Sequence, residues 1–240
     1  MTITPEIINR EGAANLVLIC DHAANFIPDE YAGLGLGEDM LATHIAWDIG
    51  AEGVARRLSG LLDCPAILAR HSRLVVDTNR EIGDPTLILK VSDGVRIYGN
   101  EKISAKERER RIASYHTPFH QACDSVIGPR LGKQPHIIGI HTFTRVFGGV
   151  RRDLQLAVMW NRDRRLADKF GAVFEGLGFS VGWNQPYSGK DFFYSMDRHG
   201  HDNGLLHTTL EVRQDLVNDE VGQEKFATLI AGVFRDLKEV

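Results

Sequence analysis

The sequence predicts a layered α/β fold, with a mixed, mostly parallel sheet covered by helices on both faces. Two observations carry this. Short apolar runs, several of them continuously apolar as in strands buried on both sides, recur along the chain. They alternate with segments whose apolar residues step by three and four, the spacing of a helix that buries one side. Strand and helix signals taking turns in this way mark α/β layering.

The first strand is read at Leu16–Cys20, LVLIC, and the helix after it from Val54, Leu58, Leu61 and Leu62. Further apolar runs give strands at Ala66–Ala69 and Arg73–Val76. Ile112, Tyr115, Phe119, Ala122 and Val126 mark a second helix, which Pro118 should bend or break, because proline lacks an N–H and its ring crowds the preceding turn. Strands follow at His136–His141 and Leu154–Trp160. The helix through Leu166, Phe170, Val173, Phe174 and Leu177 should stop at Gly178, a residue suited to the left-handed position after a helix. Phe179–Trp183 and Thr208–Val212 complete the strands, and Phe226, Leu229, Ile230, Val233, Phe234 and Leu237 mark the last helix. NQPYSGKDFFYSMDRHGHDNG is the longest stretch without periodicity. Loops of that length in compact domains are functional or disordered, and its aromatics and histidines argue for function, with a lid expected between Gly189 and Gly204. No repeat, low-complexity tract or linker divides the chain, so residues 1–240 are read as one domain.

Composition narrows the partners. At 240 residues, 43% hydrophobic and 25% charged, the chain has an ordinary globular make-up. A net charge of -4 gives no bulk electrostatic reason to bind nucleic acid or an anionic membrane. No run approaches the roughly 20 apolar residues of a bilayer span, and the first residues lack the pattern of an export signal. Cys20, Cys64 and Cys123 are isolated and odd in number, which reads as reduced thiols in the cytoplasm. The expected partner is a small molecule, and the oligomeric state is left open.

Four strand ends carry groups that bind metals or move protons: LVLICDH ends in Asp21 and His22, HSRLVVDTNR in Asp77, Asn79 and Arg80, HIIGIHT in His141, and HTTLEVR in Glu211 and Arg213. Parallel strands bring such ends together, on the edge where open α/β sheets bind ligands. Each residue alone could be a helix cap. Two histidines at the ends of separate apolar runs, with carboxylates nearby, suggest a metal. Catalytic zinc takes three protein ligands and leaves a position for water, so His22 and His141 need a third partner. Asp48, in HIAWDIGAEGVARRL, sits where a helix begins and is the candidate; a carboxylate favoured there by the helix dipole is the plainer reading, and His44 is the alternative ligand.

Glu211 could act as general base for a hydrolytic water, or pair with Arg213 or Arg80. Arg80 and Arg73 offer forks for a substrate carboxylate or a developing oxyanion, unless they pair with Asp77 or Asp84. Asn79, Thr142, Tyr194, His199 and Arg213 are candidates to complete a substrate pocket. His116 and His120, four apart beside Tyr115 and Phe119, have a spacing that can bind metal but are read as structural or surface residues, while His71 and His207 could orient ligands. No G-x-G-x-x-G follows the first strand, which argues against a dinucleotide enzyme.

With these residues assembled, the chain resembles the N-formylglutamate amidohydrolase family, through LICDHAANFIP, AWDIGAEGVARRL, ARHSRLVVDTNR, IGIHTFTR and GLLHTTLEVRQDL. The most specific segment is SRLVVDTNR, which is similar to the family's S-R-x-x-x-D-x-N-R. The resemblance implies a three-layer, phosphorylase/hydrolase-like fold similar to that of zinc-dependent exopeptidases, and amide hydrolysis at a single divalent metal, zinc or another. It aligns His22, Asp48 and His141 with the metal-site motifs and Glu211 with the acidic residue of the last strand. The first motif departs from the family, with Asp21 in place of Pro and Ala23 and Ala24 in place of Ser and Gly, as in a divergent member. The expected reaction is hydrolysis of a small acidic N-acyl amino acid such as N-formylglutamate. The alternatives are a related zinc amidase for another N-acyl amino acid or peptide amide, and a noncatalytic binding protein that keeps the fold.

Overall fold

The apolar runs pair into one seven-stranded sheet in a computed structural model that describes residues 3–237. Its strands are β1 (Glu6–Ile8), β2 (Leu16–Cys20), β3 (Ala66–Leu68), β4 (His136–Phe143), β5 (Leu156–Met159), β6 (Val181–Trp183) and β7 (His207–Arg213). Their spatial order is β1-β3-β2-β4-β7-β5-β6. The central four, β3, β2, β4 and β7, run parallel, whereas β1 and β5 lie antiparallel to β3 and β7, and β6 is parallel to β5. The architecture is therefore the mixed, mostly parallel one that the sequence predicts.

Side chains on a strand alternate between faces, and here both faces are covered. Leu16, Leu18 and Cys20 of β2 join a core with α1 (Ala51–Leu62). Val17 and Ile19 join a second core on the opposite face, with Phe119, Cys123 and Val126. Those three side chains belong to a long helical stretch in which α2 (Ala105–Arg111) passes through Ile112–His116 into α3 (Thr117–Ile127). The break expected at Pro118 is a wide π-helical turn, Ile112–His116, in which Thr117 N–H reaches back to the Ile112 carbonyl; the helix widens rather than ending. The first core is closed by α4 (Arg165–Gly176), and Gly178, at φ 84°, turns the chain out of it as predicted. The second core takes Met196 from α5 (Tyr194–His199), and the first takes Phe226, Ile230 and Phe234 from α6 (Glu220–Leu237).

Three local expectations change. Arg73–Val76 is a buried series of turns, not a strand. Ser72 Oγ donates to the Ala46 carbonyl at 2.7 Å and accepts from Leu74 N–H at 3.2 Å, so the backbone is satisfied locally. Val75 and Val76 pack with Leu87, Ile88 and Tyr115, away from the sheet. The short edge strand β1 carries no alternation that would reveal it. The aperiodic stretch before β7 is no free loop: it holds α5, and Ser195 within that helix is buried and bonded to Asp21 and Asn79. No helix among the described residues is long and apolar enough to cross a membrane.

The helix that follows Asp48 enters through Gly50, at φ 84°, where an added Cβ would meet the Val217 carbonyl oxygen at 2.2 Å. Gly50→Ala should therefore lose about 2 kcal/mol or more, several degrees of Tm by thermal denaturation. Gly60→Ala, inside the same helix with nothing within 4 Å, should equal or exceed the parent in stability.

Candidate active site

The carboxyl ends of β2, β4 and β7 meet on one edge. β2 delivers Asp21 and His22 directly past Cys20, and β4 delivers His141, which lies in register beside Glu211 of β7. Asp48 joins them from the turn before α1, its N–H bonded to the His22 carbonyl at 3.0 Å. The two imidazoles stand edge to face, centroids 5.0 Å apart and planes at 89°.

Each ring turns Nδ1 toward Asp48 and Nε2 toward a different aspartate. For His22, Nδ1 lies 3.6 Å from Asp48 Oδ1, and Nε2 donates to Asp77 Oδ1 at 2.7 Å. For His141, Nδ1 donates to Asp48 Oδ2 at 2.9 Å, and Nε2 lies 2.8 Å from Asp21 Oδ1. Asp77 also accepts from Arg73 Nη2 at 2.7 Å and from Asn79 N–H at 2.9 Å. Asp21 accepts from Ser195 Oγ at 2.6 Å, and Asp48 from Thr142 N–H at 3.2 Å. At this site, Asp21 Oδ1, His22 Nδ1, Arg73 Nε and Glu211 Oε2 are buried with no hydrogen-bond partner. One ligand atom each from Asp21, His22 and His141 lie within 4.8 Å of one another, a group able to hold a metal ion.

Burial alone would push every carboxyl here up, because it penalises the charged form. For Asp21 the His141 and His22 imidazoles overcome burial and hold the group far below its ordinary range. Asp48 is held down by His22 and His141 in the same way, and Asp77 by Arg73 and His22. The imidazoles respond in kind: burial opposes their charge, yet the surrounding aspartates raise both His22 and His141. Glu211 differs, since burial dominates there and pushes it up to about 7.

His22, Asp48, His141 and Glu211 line one pocket, together with the predicted Arg73, Asn79, Arg80 and Thr142. Arg80 bonds Thr86 Oγ1 at 3.1 Å and the Asn79 carbonyl at 2.8 Å, both neutral acceptors. Three predicted pocket residues lie elsewhere. Arg213 is spent on Asp215, at 2.6 Å, and on the carbonyls of Asp153 and Leu154. Tyr194 packs on the rings of His116 and His120, and His199 Nε2 lies 2.9 Å from His120 Nδ1. His44 lines the pocket but pairs with Asp93 Oδ2 at 3.0 Å.

His116 and His120 are structural, as expected: their Nε2 atoms donate to the carbonyls of Arg80 and Thr78, both at 2.9 Å, and so grip the loop that carries Asn79. His71 bonds the Val76 carbonyl at 3.3 Å and His207 that of Leu205 at 2.8 Å, so neither orients His22 or His141. Sequence reasoning noted Asp21 and Asp77 at strand ends but not their place behind the two rings. It missed Ser195, Phe147, Tyr187 and Phe192, which reach the site from segments without periodicity.

Fold and pocket together define an α/β protein whose sheet edge gathers a buried histidine–carboxylate cluster at the floor of a small-molecule pocket. A family model described as N-formylglutamate amidohydrolase matches residues 14–218, and the chain belongs to that family, whose members are hydrolases acting on carbon–nitrogen bonds. Among solved structures, gene product Atu2144 from Agrobacterium tumefaciens is 32% identical, with a TM-score of 0.95 over 98% of this chain and 95% of that one. The N-formylglutamate amidohydrolase from Ralstonia eutropha JMP134 is 17% identical, with a TM-score of 0.74 over 99% of this chain and 100% of that one, which shows the shared fold. No curated protein matches the chain.

Behind the pocket, burial pushes His71 and His199 down to about 4 and His120 to about 2, and lowers His116 as well. These rings stay neutral in the fold but take up protons near 6.5 once unfolded. Stability is therefore full above about pH 6.5 and falls as pH drops toward 4, since the unfolded state binds more protons. His22 and His141, with raised values, are protonated in both states below 6.5 and leave this window unchanged, whereas Glu211, pushed up to about 7, takes its proton in the fold first and offsets part of the fall. Urea midpoints should fall between pH 6 and 4.5, and His71→Asn should make that fall shallower by up to one proton.

Proposed function

We propose that the chain is a metal-dependent amidohydrolase that cleaves the N-acyl bond of a small N-acyl amino acid, the class to which N-formylglutamate belongs. The observation that carries the reading is the pair of imidazoles facing Asp48 with their Nδ1 atoms, one without any hydrogen-bond partner, each braced from behind by its own aspartate. Such carboxylate–histidine pairs are the usual support of a metal ligand, fixing ring orientation and raising basicity. The donor set fits a divalent ion in charge as well. With neutral imidazoles as ligands, Asp21, Asp48 and Asp77 carry three negative charges against one positive charge on Arg73, an excess of two negative charges before Glu211 is counted.

His22, Asp48 and His141 would hold the ion. Asp48 is favoured over Asp21 because it lines the pocket, whereas Asp21 is sealed behind His141 and engaged by Ser195. Zinc, or a similar ion, would supply polarisation of the amide carbonyl and a water whose pKa falls toward about 7. Glu211, with Oε2 unengaged, takes the proton of the attacking water and returns it to nitrogen as the C–N bond breaks, leaving a carboxylate and a free amine. Arg80 grips the substrate carboxylate with the guanidinium hydrogens that its neutral partners leave free. Arg73, already paired with Asp77 and near Asp48, holds the carboxylates in position. The buried thiols of Cys20 and Cys123 support a reducing, cytoplasmic setting.

Metal analysis of the purified chain tests the ligand set. His22→Ala and His141→Ala should lose nearly all bound metal, whereas Asp21→Asn should bind it on the order of tenfold to a hundredfold more weakly. Full metal content in both histidine variants would sink the assignment. Glu211→Gln should keep its metal and lose roughly 10²- to 10⁴-fold in kcat on an N-formyl amino acid, followed by formate release.

A further inference from the structure

The pocket, about 230 Å³, has walls of unlike chemistry. Beyond the polar floor runs a row of rings. His44 and Phe147 have centroids 6.2 Å apart, Phe147 and Tyr187 6.5 Å, and Tyr187 and Phe192 6.4 Å. The Arg80 guanidinium caps the row, 4.5 Å from the Phe192 ring. All five residues line the pocket.

The row is held in place from outside. Asp93 joins two loops, accepting from Gly148 N–H at 2.7 Å and from His44 at 3.0 Å. Arg152 stacks on both Phe147 and Tyr187, 4.8 Å from each centroid, and donates to Tyr187 Oη at 3.0 Å. Despite this support, Phe147 and Phe192 each remain 37% exposed, and Val91 beside them 52%. A fixed apolar wall left uncovered inside a pocket is a surface for a ligand.

Charge points the same way. Arg73 is committed to Asp77 at 2.7 Å and lies 3.7 Å from Asp48. Among the described pocket residues, Arg80 is the guanidinium with no carboxylate within ion-pair distance. One free guanidinium matches one substrate carboxylate. A second carboxylate, extended along the rings, would lose water against their apolar faces, with Arg152 outside the pocket lining, behind the rings and already donating to Tyr187 Oη, which is costly.

We propose that the preferred substrate carries a single carboxylate, taken by Arg80, and an apolar, ring-sized group that lies along Phe147, Tyr187 and Phe192, so that dicarboxylates such as N-formylglutamate are the poorer members of the class. This rests on reading the site as an N-acyl amino acid hydrolase. The aromatic wall selects the group attached to the amide, while the cluster at the floor performs the cleavage.

Calorimetry on the purified full chain tests the selection without any cleavage, using 3-phenylpropanoate and glutarate, which differ in a ring against a second carboxylate. Phenylpropanoate should bind on the order of tenfold more tightly. Phe147→Ala and Phe192→Ala, both at the exposed rim, should each erase most of that ratio, and Arg80→Met should weaken both acids. With metal loaded, N-formyl-L-phenylalanine should exceed N-formyl-L-glutamate in kcat/KM on the order of tenfold. Glutarate binding as tightly as phenylpropanoate, or a ratio unmoved by both ring truncations, would overturn the proposal. If no N-formyl amino acid is cleaved, the hydrolase reading falls, and the binding ratio still decides whether the wall selects apolar acids.

Discussion

Three carboxylates held almost entirely out of water organise this molecule. Asp21, Asp48 and Asp77 are each buried, and a buried carboxylate must find donors or give up its charge. Their donors come from far along the chain: His22 lies 55 positions from Asp77, His141 93 from Asp48, and Ser195 174 from Asp21. Satisfying the three therefore ties together the end of β2, the entrance to α1, the Ser72–Arg80 turns, β4 and α5. Breaking one such pair would strand the partner charge, so the cluster constrains the fold while it builds the site.

That dependence explains how the sequence could be read. Continuous apolar runs such as Leu16–Cys20 and His136–His141 signal strands covered on both faces, and the polar residues just past them fall where the parallel sheet converges. His22, His141 and Glu211 were legible because strand register alone brings them to one edge. Arg73–Val76 was misread for a related reason: a buried turn and a buried strand are equally apolar, and only the Ser72 and Asp77 hydrogen bonds tell them apart. Arg213, one position past Val212, looked equivalent to its neighbours, yet the nearby Asp215 captures it.

The pocket wall was less legible. His44, Phe147, Tyr187 and Phe192 lie outside the regular strands and helices that bury the core, apart from a two-residue strand at Phe147, and no hydrophobic period links them. Their association depends on Asp93 bridging two loops and on Arg152 lying against two rings. Such contacts follow from tertiary closure, so a single sequence gives no spacing from which to infer them. A family resemblance cannot supply them either, because the motifs that carry it describe the floor and not the wall.

Floor and wall also differ in how rigidly they are set. Glu211 lies in the interior of β7, bonded through its strand to β4 on one side and β5 on the other, with His141 and Ala157 as its register partners. Its backbone is fixed by two ladders, while Oε2 is left without a partner. A strand residue held on both sides cannot drift toward a compensating donor as a loop residue could, so the unengaged carboxylate persists. Reactive groups on regular elements are positioned more closely than groups on loops. The rings, on a hairpin and loops, are held by side-chain contacts from Asp93 and Arg152 and not by strand ladders, so they can be exchanged for other residues without moving those beneath. Cleavage and selection thus occupy parts of the chain with different tolerance for change.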